Sequence, residues 1–204
     1  LAETMITLAR DESGQSFGFI GIDLDITESE AKYRLLFDQV PVPIWEQDFT
    51  EVKRRVDEIV PWAGGDLRGY FEARPGLVRE LAGLVRVIDV NRATLELYAA
   101  TSKEELFRGV PYVFSEDSFH NFIDALLVVA EGGRWLTTEV GHRRLDGELL
   151  RVQLRWRVAP GCEEDYSRVL VSINDVTGLE DAREAALAAS HAKSEFLANM
   201  SHEI

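Results

Sequence analysis

Cysteine is nearly absent from this chain, with Cys162 the only one in 204 residues. An internal disulfide is excluded, and a reducing, cytoplasmic compartment is the expectation. Long hydrophobic runs are missing too. The longest uninterrupted one is Ala125 to Ala130, far short of the roughly 18 residues of a membrane span, so any membrane anchor of a parent protein is expected upstream. Basic residues are scarce beside acidic ones: 22 Lys and Arg face 36 Asp and Glu, for a net charge of -14. Nucleic acid and anionic lipid would be repelled by such a surface and are excluded as partners. The sequence also holds no metal-ligand cluster, no Ser/His/Asp constellation and no G-x-x-x-x-G-K-[ST] phosphate loop. What it does hold is 46% hydrophobic residues, enough for one good core with fragments of a second at its ends.

Patterning divides the chain into short alternating elements. Two strands are expected around Asp11 to Gly14, the second being Phe17 to Leu24. A short helix follows, with Tyr33, Leu36, Phe37 and Val40 at i, i+3, i+4, i+7, and Pro41 and Pro43 end it. Val42 to Phe49 reads as a strand. Residues 50–84 then read as helical, Thr50 to Val60 first and a second helix around Leu77 to Leu84, broken by Pro61 and Gly64-Gly65; packing elaboration is their expected role. Leu84 to Asn91 is a strand, and Asn91 is placed to cap a helix from Arg92 to Tyr98. Ser102 and Glu105 form a capping box. Ser115 opens the longest internal helix, with Phe119, Phe122, Ile123, Leu126, Leu127 and Ala130 as its apolar stripe and Gly132-Gly133 as its stop. Trp135 to Arg144 and Leu149 to Val158 form a hairpin for which Asp146-Gly147 predicts a type I′ turn. In the second of these strands Leu150, Val152, Leu154, Trp156 and Val158 alternate with Arg151, Gln153, Arg155 and Arg157, one core face and one outer face. Tyr166 to Asn174 is the last strand. From Leu179 to Ile204 the chain reads as one Ala-rich helix, about 39 Å long, whose 3-4 spacing permits a weak coiled coil.

Asp25-Ile-Thr-Glu-Ser-Glu30 and Asp175-Val-Thr-Gly-Leu-Glu180 repeat one arrangement, each closing a strand and launching a helix. With Val90-Asn-Arg-Ala-Thr-Leu-Glu-Leu97 and Ser102 to Gly109, these junctions resemble the signatures of PAS domains. Ala99-Ala100 departs from the family's usual Gly then aromatic. The resemblance implies an α+β PAS fold, an antiparallel sheet of about five strands flanked by helices, with the helix from Ser115 covering the sheet and lining a ligand pocket. It divides the chain into the tail of a preceding PAS domain (1–27), a linker and lead-in helix (28–40), a PAS domain with a helical insertion (41–177, insertion 50–84) and a signalling helix (178–204).

Lys193-Ser-Glu-Phe-Leu-Ala-Asn-Met-Ser-His-Glu-Ile204 resembles the phosphoacceptor box of sensor histidine kinases, at the start of their dimerisation and phosphotransfer domain. At 100° per residue, Phe196, Leu197, Met200 and Ile204 share one helix face and His202 points away from it. The resemblance implies that His202 takes the γ-phosphoryl group of ATP and that Glu203 is the adjacent acid-base residue. A neutral imidazole is a competent nucleophile near pH 7. The expectation is a sensory region cut from a larger kinase, a homodimer whose ATP and Mg²⁺ belong to a separate ATP-binding domain and whose phosphoryl group passes to a response-regulator receiver domain. The chain alone is expected to be inactive. The second reading is a PAS dimerisation or protein-interaction module with no small-molecule ligand.

Other candidates are weaker. His120 falls at the edge of its helix stripe and reads as a solvent-edge histidine, with haem ligation the alternative. Cys162 lies outside any Asn-Cys-Arg-like motif, so flavin photochemistry is not expected. His142 sits on a strand, and His191 is too far from His202 to share a metal. Trp45, Trp135 and Trp156 are read mostly as core. The PAS ligand is unknown.

Overall fold

A computed structural model describes residues 3–10, 16–24, 26–114, 116–180, 182–184, 186–187 and 190; side chains are described from Glu30 to Phe114 and from Asn121 to Glu180, and at some later positions. The chain divides into two compact units, Leu1–Val40 and Pro41–Ile204. In the first, β1 (Glu3–Arg10) pairs antiparallel with β2 (Ser16–Leu24) and α1 (Ile26–Gln39) follows. Phe37 is buried and stacks on Tyr33 at 5.8 Å, whereas Leu36 is exposed.

The second unit is built on five strands: β3 (Ile44–Asp48), β4 (Arg86–Val90), β5 (Trp135–Arg143), β6 (Leu149–Val158) and β7 (Val169–Asp175). Their order is β4-β3-β7-β6-β5, every pair antiparallel. The last strand thus lies in the middle of the sheet, where the run Val169, Val171, Ile173 buries its inner face. Period-2 alternation sets the same face on β6: Leu150, Val152, Trp156 and Val158 are buried and Arg151, Arg155 and Arg157 exposed.

Three α-helices and a 3-10 turn fill the helical stretch expected over 50–84: α2 (Thr50–Ile59), the 3-10 turn at Val60–Trp62, α3 (Leu67–Glu72) and α4 (Pro75–Gly83). The middle helix, capped by Asp66 accepting from the Gly69 N–H at 2.9 Å, was not legible in the periodicity. On α2 the buried Val52, Val56 and Ile59 recur at i, i+4, i+7, while Lys53, Arg54 and Arg55 pair with Asp57, Glu51 and Glu58 outside. Exposed pairs of this kind contribute little; burial of the valines holds the helix. Then come α5 (Arg92–Leu97), α6 (Lys103–Val113) and α7 (Glu116–Ala130).

Asn91 does more than cap α5. Its Oδ1 accepts from Thr94 N–H at 3.1 Å and from Ile44 N–H at 3.0 Å, and its amide donates to Val42 O at 2.8 Å. One fully buried side chain therefore satisfies a helix end and ties it to the start of β3. At the other end of α5, Ala100 N–H reaches Leu95 O at 2.9 Å and Ala99 N–H reaches Glu96 O at 3.3 Å, with Ala99 at φ 54. This is the two-bond left-handed stop that normally takes glycine. Helix α7 ends the same way, on Gly132 at φ 70, with Gly133 N–H to Val128 O at 2.8 Å.

Two expected turn details differ. The β5–β6 hairpin is not type I′: only Gly147 has positive φ (97), Gly147 N–H bonds Arg144 O, and Arg144 N–H bonds Glu148 O. Leu145, Asp146 and Gly147 form a three-residue loop in which Asp146 lacks the positive φ that a type I′ turn requires. In the box at Ser102, the hydroxyl accepts from Glu105 N–H at 3.1 Å, but the Glu105 carboxylate returns to Thr101 N–H at 2.7 Å, one residue earlier than expected.

Candidate functional site

Between the inner face of the sheet and helices α4, α6 and α7 lies a chamber of about 330 Å³. Trp45 and Gln47 of β3, Val140 and His142 of β5, Leu154 and Trp156 of β6, and Val171 and Ile173 of β7 form its sheet wall. Phe122 and Ala125 of α7 and Ala82 and Gly83 of α4 close it from the helical side. Helix α4 is thus part of the wall. The helical stretch expected only to elaborate packing contributes directly to the site.

The period of β5 carries His142 inward. Leu136, Thr138, Val140 and His142 face the chamber, while Trp135, Thr137, Glu139 and Arg143 face out. His142 is 2% exposed. Its Nδ1 lies 2.6 Å from the Tyr98 hydroxyl, and its ring meets Phe114 edge-on at 5.1 Å. Burial lowers the imidazole pKa from 6.5 to about 4, and burial raises that of the Tyr98 phenol. At neutral pH the ring is uncharged and the phenol is protonated, and one short hydrogen bond joins the hydroxyl to Nδ1.

Nε2 of His142 is one of three buried ring nitrogens on chamber residues with no hydrogen-bond partner among the described residues; the others are Nε1 of Trp45 and Nε1 of Trp156. Trp45 packs edge-on against Tyr98 at 5.6 Å, and Trp156 packs edge-on against Phe49 at 5.4 Å. The chamber is apolar in body, and its lining includes the polar residues Gln47, Thr138 and Asn121 and the basic residue Arg79.

The exit from the sheet is held on β6. Asp175 accepts from Thr177 N–H at 2.9 Å, and the Thr177 hydroxyl accepts from Arg151 N–H at 2.9 Å. Val176 N–H bonds Arg151 O at 2.9 Å, and the Arg151 guanidinium meets Glu180 at 3.6 Å and Glu184 at 3.0 Å. The threonine of the Asp-x-Thr junction thus clasps a neighbouring strand and does not cap its own helix.

His202, Glu203 and His191 lie outside the described residues. His120 is on α7, with its side chain outside them as well. Trp45 and Trp156 are buried as expected, at 2% and 5%, but Trp135 is 68% exposed because its position on β5 has the opposite parity to His142. Cys162 is half-buried in the β6–β7 loop and is not a wall residue. Among the described residues no group of three metal-ligating side chains forms, and no helix is long and apolar enough to cross a membrane.

No family model matches the chain, and no curated protein matches it. Solved structures do. A LOV protein of Rhodobacter sphaeroides aligns with a TM-score of 0.50 at 18% identity, covering 83% of this chain and 77% of that one. The PAS domain of a Colwellia psychrerythraea protein aligns at 0.46 and 18%, over 76% of this chain and 99% of its own. The PAS domain of an HTR-like protein from Haloarcula marismortui gives 0.43 and 14%, over 74% and 93%. At such identities likeness speaks to fold alone, and with the strand order and helical cover described above it establishes that this chain has the α+β PAS fold.

Proposed function

We propose that the chain is the sensory and transmitting region of a two-component sensor histidine kinase, in which the state of the chamber governs ATP-dependent phosphorylation of His202. One observation carries the reading. Strand β6 walls the chamber with Leu154 and Trp156 and, through Arg151, holds the exit turn at Asp175–Thr177. A shift in one is felt by the other, because a hydrogen-bonded strand moves as a unit. The segment Lys193 to Ile204, with its resemblance to a phosphoacceptor box, lies downstream of that junction. Its His202 would act as nucleophile with Glu203 beside it, ATP and Mg²⁺ being brought by a separate domain. Dimerisation through the exit helix and transfer to a receiver domain complete the proposal.

The test is to join the chain to an ATP-binding kinase domain and supply γ-labelled ATP. Labelling is expected in the unaltered protein and abolished in His202→Gln; undiminished labelling of the variant would overturn the assignment. The second reading, an interaction module without a ligand, is favoured by the outer sheet face, where Trp135 stands exposed opposite Arg157 and Leu149 exposed opposite Arg143. If that reading holds, Trp135→Ser abolishes self-association while changes inside the chamber leave signalling untouched.

A further inference from the structure

The acids of this chain avoid the chamber. Asp and Glu outnumber Lys and Arg by 36 to 22, yet no carboxylate is found among the described residues that line it. Gln47, Thr138 and Asn121 are neutral, and burial keeps His142 uncharged at neutral pH. Among the described residues, the one charged side chain in the lining is Arg79 of α4. Glu80, next to it in sequence, reaches Arg55 of α2 at 3.3 Å and takes no part in the lining. Exposure marks the side from which solvent enters. The sheet wall is buried or half-buried throughout, and the exposed residues of the described lining are Arg79 and Gly83 of α4 and Pro111 of α6. The mouth therefore runs between α4 and α6, with a cation on its rim and an apolar body behind it.

Resting on the sensory reading above, we infer that the chamber takes a single-headed amphiphile, its apolar body held against Trp45, Trp156, Val171 and Ile173 and its carboxylate at the α4 rim beside Arg79. Size follows from volume. A dry apolar cavity of about 150 Å³ accepts benzene, so the chamber's volume of about 330 Å³ accepts a molecule of roughly twelve non-hydrogen atoms. Charge follows from position. An anion buried at the centre would lose its hydration without repayment, whereas at an exposed rim it keeps water on one side and meets a guanidinium that is always ionised. An ammonium head would meet that same cation with no carboxylate of the described lining to offset it. The net charge of -14 repels anions at long range, but salt screens such a field beyond about 8 Å at physiological ionic strength, so the nearest charge decides.

Three ten-carbon probes test this on the full chain at neutral pH, each below its micelle-forming concentration: decanoate, 1-decanol and decylammonium. Transfer from water by itself favours the alcohol over the anion, so only a charge at the rim reverses that order. Isothermal titration calorimetry is expected to show one decanoate bound per chain, at least fivefold tighter than 1-decanol, with decylammonium weakest. Arg79→Gln is expected to weaken decanoate at least fivefold and 1-decanol less than twofold, and Arg79→Lys to keep decanoate within threefold of the unaltered chain. Ala125→Phe, which fills the chamber, is expected to abolish binding of both and so tells the chamber from adsorption elsewhere. Far-UV circular dichroism confirms the fold of each variant, and Ala82→Leu on the helical wall replaces Ala125→Phe should that one fail to fold. Equal or tighter binding of the alcohol or the ammonium overturns the inference, as does decanoate binding unmoved by Arg79→Gln or by filling the chamber. Absence of saturable binding by any probe overturns it too. No phosphoryl readout is involved, so binding can fail while His202 labelling holds, and the reverse.

Discussion

His142 joins two properties that are costly together, deep burial and a titratable ring, and its folded pKa of about 4 lies below the 6.5 of an exposed histidine. The unfolded chain thus binds the proton more readily. The stabilisation from the neutral folded ring is complete above about pH 6.5 and is lost as pH falls towards 4, amounting to roughly 2 kcal/mol between pH 7 and pH 5. Urea unfolding of the unaltered chain and of His142→Phe across that range is expected to show this loss only in the former, carboxylate effects cancelling in the comparison. Parallel slopes would contradict the assignment. Ala99 is the second informative residue. A left-handed alanine costs about 1–2 kcal/mol, of which glycine's extra unfolded-state freedom takes back part, so Ala99→Gly is expected to stabilise by about 0.5–1 kcal/mol. The midpoint of thermal unfolding should rise by about 1–4 °C. Inward placement of His142 was legible in the sequence, because it shares parity with Leu136 and Val140; the same count puts Trp135 outside. The missing partners of the three ring nitrogens were not legible at all, since they depend on what surrounds each ring in three dimensions.

At the scale of elements, the junctions decide more than the elements they join. Asn91 was readable as a helix cap from its place before Arg92, but its bonds to Val42 and Ile44 span nearly fifty residues and leave no local trace. Asn91→Ala removes a cap worth about 1 kcal/mol and leaves two further backbone groups unpaired, so a loss of about 3 kcal/mol is expected in equilibrium urea unfolding. A loss below about 1 kcal/mol would mean that water replaces the side chain. Helix α4 shows the same limit. The sequence places a helix around Leu77 to Leu84; its start at Pro75 was not read there, and its place in the chamber wall follows from packing near α7, which no periodicity reports.

For the molecule as a whole, the five strands, the α7 cover and the hairpin were legible because alternation of period 2 and stripes of period 3.6 are local signals. The strand order was not, since β7 slots between β3 and β6 from the far end of the chain. That order gives the proposed function its physical route: the closing strand lies beside β6, and the turn leaving it is bonded to Arg151. The central claim is that chamber state passes through this clasp to His202. Its most direct measurement is the initial rate of His202 labelling in the chain joined to a kinase domain, with Ala125→Phe filling the chamber, alone and combined with Thr177→Val. The account predicts that Ala125→Phe changes the rate at least threefold and that Thr177→Val, which removes the hydroxyl clasp, abolishes the change. An equal change in both backgrounds, or none in either, would contradict it.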